Sequence, residues 1–211
     1  MDANRVSIST VETVGQDTVA LELETPDDFE ALPGQFVLIR ATVDGEEHAR
    51  HYTLSSPGVN ETFELTVGID PEGDLSPWLA DREPGDTVSV EGPFGNASYD
   101  ADSGGDVVVI AGGPGVGPAV GVGEAAVAAG HAATVVYEDD HPAHEDRLAS
   151  LSAAGADVTI VTDGTLDAAI QGGPMDGEVF VFGFKDFLDR ALPALESAGV
   201  DLDDAHIENF G

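Results

Sequence analysis

The sequence predicts a two-domain protein, in which an amino-terminal antiparallel β-barrel precedes a carboxy-terminal α/β domain with a doubly wound parallel sheet. Up to about residue 99, apolar and polar residues alternate in short segments, which is the period of half-buried strands. Beyond residue 105, continuous apolar runs alternate with alanine-rich stretches, as in a parallel sheet covered on both faces. The 211 residues suffice for two cores, and we place the domains at 1–101 and 102–211.

The strands predicted in the first half are short. The clearest covers 63–69, where apolar side chains take every second position, and 19–23 and 88–90 repeat the pattern. Turns that contain proline and glycine separate these segments, for example at Pro33-Gly34 and Pro84-Gly85. Short strands with such turns are typical of a small barrel or sandwich.

In the second half, strands and helices alternate. The apolar runs that predict parallel strands are 107–110, 134–137, 158–161 and 179–182. The stretches that predict helices are 118–129, 142–154, 166–170 and 185–198. This alternation predicts the doubly wound sheet.

Composition narrows the function. The chain has 7 Lys and Arg against 41 Asp and Glu, and its net charge of −34 is spread over both halves. Salt near 1 M shortens the Debye length to about 3 Å, so we hypothesise a high-salt cytoplasm. Nucleic acid is excluded as a partner because no basic stripe exists. The absence of cysteine excludes thiolate zinc and iron–sulfur sites, so any redox chemistry needs an organic cofactor.

The expected location is the cytoplasm, without membrane attachment. The first residues lack the basic-then-apolar pattern of a signal peptide, and no apolar run approaches the roughly 18 residues of a membrane span.

The first candidate site is the segment Arg50-His51-Tyr52-Thr53-Leu54-Ser55-Ser56. On a regular strand, Arg50 and Tyr52 share one face, while Thr53 points the other way. A guanidinium, an aromatic ring and a hydroxyl together suit a phosphate-bearing aromatic ligand. The alternative is an edge strand with an incidental arginine.

The second candidate is the turn Gly73-Asp74-Leu75-Ser76. Ser76 precedes Pro77, which predicts a helix whose amino-terminal cap is Ser76. Free N–H groups at such a helix start could bind a pyrophosphate, although an ordinary helix start has the same pattern.

The third candidate joins the first parallel strand to its helix. Such connections bind dinucleotide phosphates in doubly wound sheets, and glycine lets the backbone approach the ligand. The alternative is a plain turn. The candidate residues are Gly112, Gly113, Gly115, Gly117 and Pro118.

No metal site is predicted. His141 and His144 flank Pro142, and acidic residues follow, which favours a helix start over a ligand cluster.

Taken in order, these segments resemble the ferredoxin–NADP reductase family of flavin- and nicotinamide-binding oxidoreductases. The motifs that match are Pro33-Gly34-Gln35-Phe36, Arg50-x-Tyr52-Thr53-x-x-Ser56, Gly73-x-x-Ser76, Gly92-Pro93-Phe94-Gly95, the glycine segment 111–118 and the ending Ile207-Glu208-Asn209-Phe210.

The resemblance implies a flavin in the first domain, and the turn at 73–76 favours FAD over FMN. It implies that Arg50 binds flavin phosphate, Tyr52 packs on the isoalloxazine and Thr53 bonds near flavin N5. Further implied contacts are His51, Ser56, the backbone of Val67, Gly68 and Ile69, and the turn residues Gly73, Asp74, Leu75 and Ser76. Phe210 is implied on the other ring face, and Glu208 near the hydride path.

The resemblance also implies NAD(P)H in the second domain, bound by the glycine segment and by Gly183 and Phe184. The family's usual Cys-Gly-Pro is here Phe182-Gly183-Phe184. Three acids after Tyr137, at 138–140, favour NADH weakly, because carboxylates accept from a ribose hydroxyl and repel a 2′-phosphate. The implied activity is electron transfer between NAD(P)H and ferredoxin or another carrier. The alternatives are a flavin module without nicotinamide and a dinucleotide sensor without flavin.

Overall fold

The computed structural model describes residues 3–211, which form an antiparallel and a parallel sheet. The antiparallel sheet has six strands in the order β4-β3-β6-β1-β2-β5. A bridge between Leu54 and Leu65, with a 2.8 Å hydrogen bond from Ser55 N to Glu64 O, joins its two edges into a barrel. The strands are β1 (Asn4–Gly15), β2 (Thr18–Glu24), β3 (Phe36–Val43), β4 (Glu46–Thr53), β5 (Thr62–Gly68) and β6 (Thr87–Phe94), and helix α1 (Leu75–Ala80) lies between β5 and β6.

The barrel core follows from the alternation along its strands. On β5, Phe63, Leu65 and Val67 are buried among the apolar side chains of neighbouring strands. Each side chain of this kind stabilises the fold by about 1.5–3 kcal/mol relative to an exposed position.

The second sheet has five parallel strands in the order β11-β10-β7-β8-β9. These are β7 (Val107–Gly112), β8 (Ala133–Glu138), β9 (Asp157–Val161), β10 (Glu178–Gly183) and β11 (His206–Asn209). The helices are α2 (Val116–Ala128), α3 (Glu145–Ala153), α4 (Leu166–Gly172) and α5 (Lys185–Ser197). The predicted two-domain fold class is therefore confirmed.

The connection between the sheets runs from Phe94 to Val107. Tyr99 in this connection is fully buried, and its ring meets Phe180 edge-to-face in the core of the second sheet. The division at 101/102 falls within this connection and stays a prediction.

Two side chains of the second domain reach the barrel. Arg147 on α3 donates to Glu124, to Glu64 and to the carbonyl of Ser55, at 2.6–2.8 Å. His144 Nε2 lies 2.8 Å from Thr66 Oγ1. These contacts fix the barrel against α2 and α3.

Helix α3 begins later than predicted. The sequence predicted a start at Pro142, but His144 adopts a left-handed backbone with φ of 54°, and the helix begins at Glu145. Within residues 3–211, no helix has the length and apolar character needed to cross a membrane.

Candidate functional site

A cleft of about 280 Å³ lies where the barrel meets the second domain. Strands β4 and β5 and the start of α1 form one side, and residues of the second domain form the other. The lining residues are Arg50, His51, Tyr52, Thr53, Thr66, Gly68, Asp70, Gly73, Asp74, Leu75, Ser76, Pro114, Pro118, Phe184 and Phe210. The structure thus brings together most of the residues that the first two predicted motifs supply.

Arg50 differs from most other cations of this chain. Its side chain is exposed, and Nη1 donates to the carbonyl of Ala49 at 2.8 Å. Within residues 3–211, only Arg50 and Arg5 among the lysines and arginines lack a carboxylate within 4.0 Å. The guanidinium of Arg50 therefore keeps donors for an anionic ligand in the cleft, which fits a phosphate group.

Tyr52 and Thr53 continue the same side of the cleft. Burial raises the pKa of Tyr52 to about 12, so the phenol stays protonated at neutral pH. Thr53 is buried and also lines the cleft, although a regular strand would turn it away from Arg50. The reason is that β4 ends at Thr53, where the chain leaves the strand to form the barrel closure.

The turn 73–76 lines the cleft as well, but Ser76 is not the helix cap that the sequence predicted. Helix α1 begins at Leu75, and Asp74 occupies the cap position without a side-chain hydrogen bond. The hydroxyl oxygen of Ser76 instead accepts from Asp70 N at 3.0 Å. Ser76 therefore fixes the turn that precedes the helix.

Three predicted residues of the barrel lie outside the cleft. The side chain of Val67 is in the barrel core. The hydroxyl oxygen of Ser56 accepts from Glu64 N at 2.7 Å and so holds the end of the motif on β5. Ile69 lines an adjoining recess of about 280 Å³, which shares Gly68, Asp70, Pro114 and Phe184 with the cleft and adds Asp17, Thr18, Asp139 and His141.

The glycine segment approaches the cleft through Pro114 and Pro118, and three of its glycines contact the protein itself. A Cβ at Gly112 would lie 2.4 Å from the Phe187 ring. At Gly115 it would lie 2.4 Å from the Phe182 carbonyl oxygen, and at Gly117 2.5 Å from Thr66 Oγ1. Gly113, with φ of 57°, has no neighbour within 4 Å of such a Cβ and therefore faces open space.

Two aromatic rings of the second domain face the cleft. Phe184 is 51% exposed and meets Phe210 edge-to-face, with ring centroids 5.8 Å apart. Phe182 is fully buried and stacks on Phe180, so it lies in the core and not in the lining of the cleft. Strand β10 ends at Gly183, which is buried against Phe187, and Phe184 turns away as the cap of α5.

Glu208 lies half-buried on β11, outside the cleft lining. A Cβ at Gly95 would be 3.7 Å from its Oε2 atom and 2.9 Å from the ring of Phe36, which in turn packs edge-to-face on His51. Burial raises the pKa of Glu208 to about 7, so this carboxyl group changes protonation near neutral pH.

Sequence reasoning missed Thr66, Asp70 and Pro114 as lining residues, and His144 and Arg147 as contacts between the domains. Thr66 could have been identified, because it occupies an outward position of a clearly alternating strand. The contact from His144 spans 78 residues of sequence and gives no local signal. Within residues 3–211, no group of three His, Asp or Glu side chains is placed to hold a metal ion.

Comparison with known proteins identifies a family domain in the first half of the chain. Residues 5–99 match the family model of the oxidoreductase FAD-binding domain. Over 91 residues the chain is 41% identical to the glycine betaine monooxygenase reductase subunit of Chromohalobacter salexigens. The aligned residues make up 41% of this chain and 24% of that protein. Over 116 residues it is 34% identical to an NADH-cytochrome b5 reductase-like protein of Mus musculus, covering 54% and 37%. The chain thus spans less than two fifths of the length of these relatives.

Solved structures match over the whole chain. The FAD/NAD-binding domain of nitric oxide dioxygenase from Vibrio cholerae superimposes with a TM-score of 0.82 at 20% identity, with full coverage of both chains. A ferredoxin NADP⁺ reductase from Neisseria gonorrhoeae gives 0.80 at 15% identity, again with full coverage.

Residues 5–99 thus carry an oxidoreductase FAD-binding domain, and the whole chain has the two-domain fold of these solved reductase structures.

Proposed function

We propose that this chain is an FAD-dependent oxidoreductase that moves electrons between NAD(P)H and a separate electron acceptor. The observation that carries the proposal is the cleft in which Arg50 lies beside Tyr52 and Thr53 and pairs with no acid of residues 3–211, in a chain where acids outnumber cations 41 to 7. At the cleft, such a guanidinium offers free donors to an anionic ligand.

The residues of the cleft fit a flavin nucleotide. Arg50 binds phosphate, Tyr52 offers an apolar plane to the isoalloxazine, and Thr53 supplies a hydroxyl near its edge. The turn 73–76 offers backbone donors for a second phosphate, which supports FAD over FMN. His51, Gly68 and Phe210 complete the surroundings.

The nicotinamide nucleotide is proposed to occupy the adjoining recess. Pro114, Phe184 and Gly68 line both the recess and the cleft, so a ligand in each would be in contact. Gly113 is the glycine of the segment with open space in front of it and is the proposed approach point for a phosphate.

When bound, FAD supplies the chemistry, because it accepts a hydride from NAD(P)H and releases electrons one at a time. The chain binds and orients both nucleotides. Phe184 and Phe210 cover the cleft from the second domain and exclude water. Glu208, with its raised pKa, holds or releases a proton at its carboxyl group beside Phe36.

The electron acceptor is proposed to be ferredoxin, another protein carrier or a small oxidant, and electrons can flow in either direction. NADH is proposed as the weakly preferred nucleotide. The charge of −34 supports a high-salt cytoplasm, where short screening lengths let a charged carrier approach.

A second candidate is a flavin-binding electron-transfer module that does not use nicotinamide. The half-exposed ring of Phe184 favours it, because this ring stands between the cleft and the recess and could occupy the place of a nicotinamide.

One experiment separates these candidates. The purified protein is reconstituted with FAD in concentrated salt, and NADH or NADPH is then added without oxygen while the flavin absorbance is recorded. Bleaching supports the oxidoreductase, and a flavin that binds but stays oxidised supports the module. A chain that retains neither FAD nor FMN contradicts both and supports a dinucleotide sensor.

A further inference from the structure

Thr66 lies on β5 at the point where barrel, cleft and second domain meet. Its neighbours Leu65 and Val67 point into the barrel core, so the Thr66 side chain faces outward and lines the cleft. A Cβ at Gly117 of α2 would lie only 2.5 Å from Thr66 Oγ1. The close helix leaves the Thr66 side chain little freedom to rotate.

His144 fixes the hydroxyl of Thr66 from the other domain. The ring atom Nε2 lies 2.8 Å from Thr66 Oγ1, and the residue is 4% exposed. The backbone N–H of His144 donates to the carbonyl of Val14 on β1 at 2.9 Å. The left-handed backbone, with φ of 54°, is uncommon for a residue with a side chain. Barrel contacts at both backbone and ring therefore hold this histidine in place.

The histidine ring that contacts Thr66 is uncharged. Burial and, to a lesser extent, the cation of Arg147 lower the pKa of His144 to about 4, so the ring is neutral near pH 7 and carries one N–H. A neutral imidazole has one donor and one acceptor nitrogen, and the threonine hydroxyl can take the matching role toward Nε2.

A hydroxyl group has one donor and two acceptor positions, so Thr66 can make a second hydrogen bond beside the one to His144. The cleft is the open side of Thr66, because α2 and the barrel core occupy the others. We infer that the Thr66 hydroxyl makes a hydrogen bond to the FAD in the cleft, and that His144 is the positioning residue that orients this hydroxyl. This inference rests on the proposed binding of FAD.

The test measures the Kd for FAD by fluorescence titration at fixed salt, together with the visible spectrum of the bound flavin. Thr66→Val removes the hydroxyl at nearly constant volume and is expected to raise Kd about three- to tenfold, as for one neutral hydrogen bond. Thr66→Ser keeps the hydroxyl and should stay within about twofold of the wild type. The valine variant should also change the shape of the flavin bands, which the serine variant should preserve.

A double-mutant cycle tests the role of His144. His144→Phe keeps a ring without the N–H, and it should raise Kd in the wild type but have almost no effect in the Thr66→Val background. An equal rise in both backgrounds would mean that His144 acts only on the fold and would overturn its positioning role. His144→Leu also lacks the ring nitrogens and replaces the phenylalanine variant if that one does not fold.

The outcomes separate the inference from the proposed function. If wild-type protein binds FAD and Thr66→Val has the same Kd and spectrum, the hydrogen bond from Thr66 to FAD is excluded and the flavoprotein assignment stands. If wild-type protein binds no FAD, the proposed function fails and the inference fails with it.

Discussion

Two of the three segments that the sequence predicted as nucleotide-binding sites differ from each other in the structure. Along 50–53 of β4, every residue lines the cleft, and Arg50 has no acid partner among the described residues. In the glycine segment 112–118, only the two prolines line the cleft. At three of the glycines, other atoms of the protein already occupy the space that a side chain would need.

The difference shows what each kind of sequence signal measures. A glycine reports that something approaches the backbone closely, but not whether that neighbour is a ligand or the protein itself. At Gly117 the neighbour is Thr66 of the other domain. An arginine at a cleft of a strongly acidic chain is a sharper signal, because nearby acids would normally pair with it, and Arg50 pairs with none of those that the structure describes.

The largest expected effect concerns His144, which contacts Thr66 of the barrel beside Gly117 of the glycine segment. Because the pKa of His144 is about 4 in the folded protein and about 6.5 when exposed, the unfolded chain binds the proton first. His144 therefore contributes stability above pH 6.5 that is lost as the pH falls towards 4, by up to about 3 kcal/mol. In urea unfolding at fixed salt, His144→Gln should lose this part of the pH dependence between pH 6.5 and 4.

His141→Gln serves as the matched control, because His141 is exposed and three residues away. It should keep the wild-type pH dependence. If the free energy of unfolding of wild type and of His144→Gln changes equally with pH, His144 is not buried as a neutral side chain.

The next effect tests the segment 50–53 of β4, which lines the cleft. Arg50→Ala should weaken FAD binding by about 1.5–3 kcal/mol, the range for a hydrogen bond to a charged group. Arg5→Ala is the control, since Arg5 also lacks a carboxylate partner among the described residues but bonds Thr87 away from the cleft. Both variants lose one positive charge, so only a local contact distinguishes their Kd values in a titration at fixed salt. If both variants weaken FAD binding equally, Arg50 acts only through the net charge of the protein and not through a local contact.

A smaller effect tests the glycine segment 112–118, in which three glycines pack against other parts of the protein. Gly115→Ala places a methyl group 2.4 Å from the backbone carbonyl of Phe182, and overpacking of this kind lowers the free energy of unfolding by about 1–3 kcal/mol. Gly105→Ala meets nothing within 4 Å and should stay within about 0.5 kcal/mol of the wild type. Urea unfolding of apo protein measures both. A neutral Gly115→Ala would return that glycine to a ligand-facing role.

The sequence predicted the elements well where a single period governs them. Each parallel strand extends at most two residues beyond its predicted ends, and β11 was anticipated only through the family ending. Helix α3 was predicted too long because its start is set by the left-handed His144, whose contacts lie on the barrel. Phe182 was grouped with Phe184, and the end of β10 at Gly183 separates them into core and cleft. Such contacts depend on tertiary packing, which local patterns do not encode.

The smallest effect concerns the choice between NADH and NADPH at the end of β8. Glu138 is held by two hydrogen bonds from Arg190, at 2.5 and 2.9 Å, and Asp139 accepts from Tyr137 and from the backbone of His141. Two of the three acids behind the NADH preference are therefore already engaged. Glu138→Gln removes a negative charge and frees the guanidinium of Arg190 for a 2′-phosphate.

The ratio of kcat/KM for NADPH to that for NADH should therefore rise in Glu138→Gln by about two- to fivefold, the size of an exposed ion pair. Glu196 is an exposed glutamate on α5, the helix that carries Arg190. Glu196→Gln makes the same change in charge and should leave the ratio unaltered. If both variants shift the ratio equally, the preference follows from the overall charge of the chain. If neither variant changes the ratio, the end of β8 does not contact the ribose, and the NADH preference has no basis in Glu138.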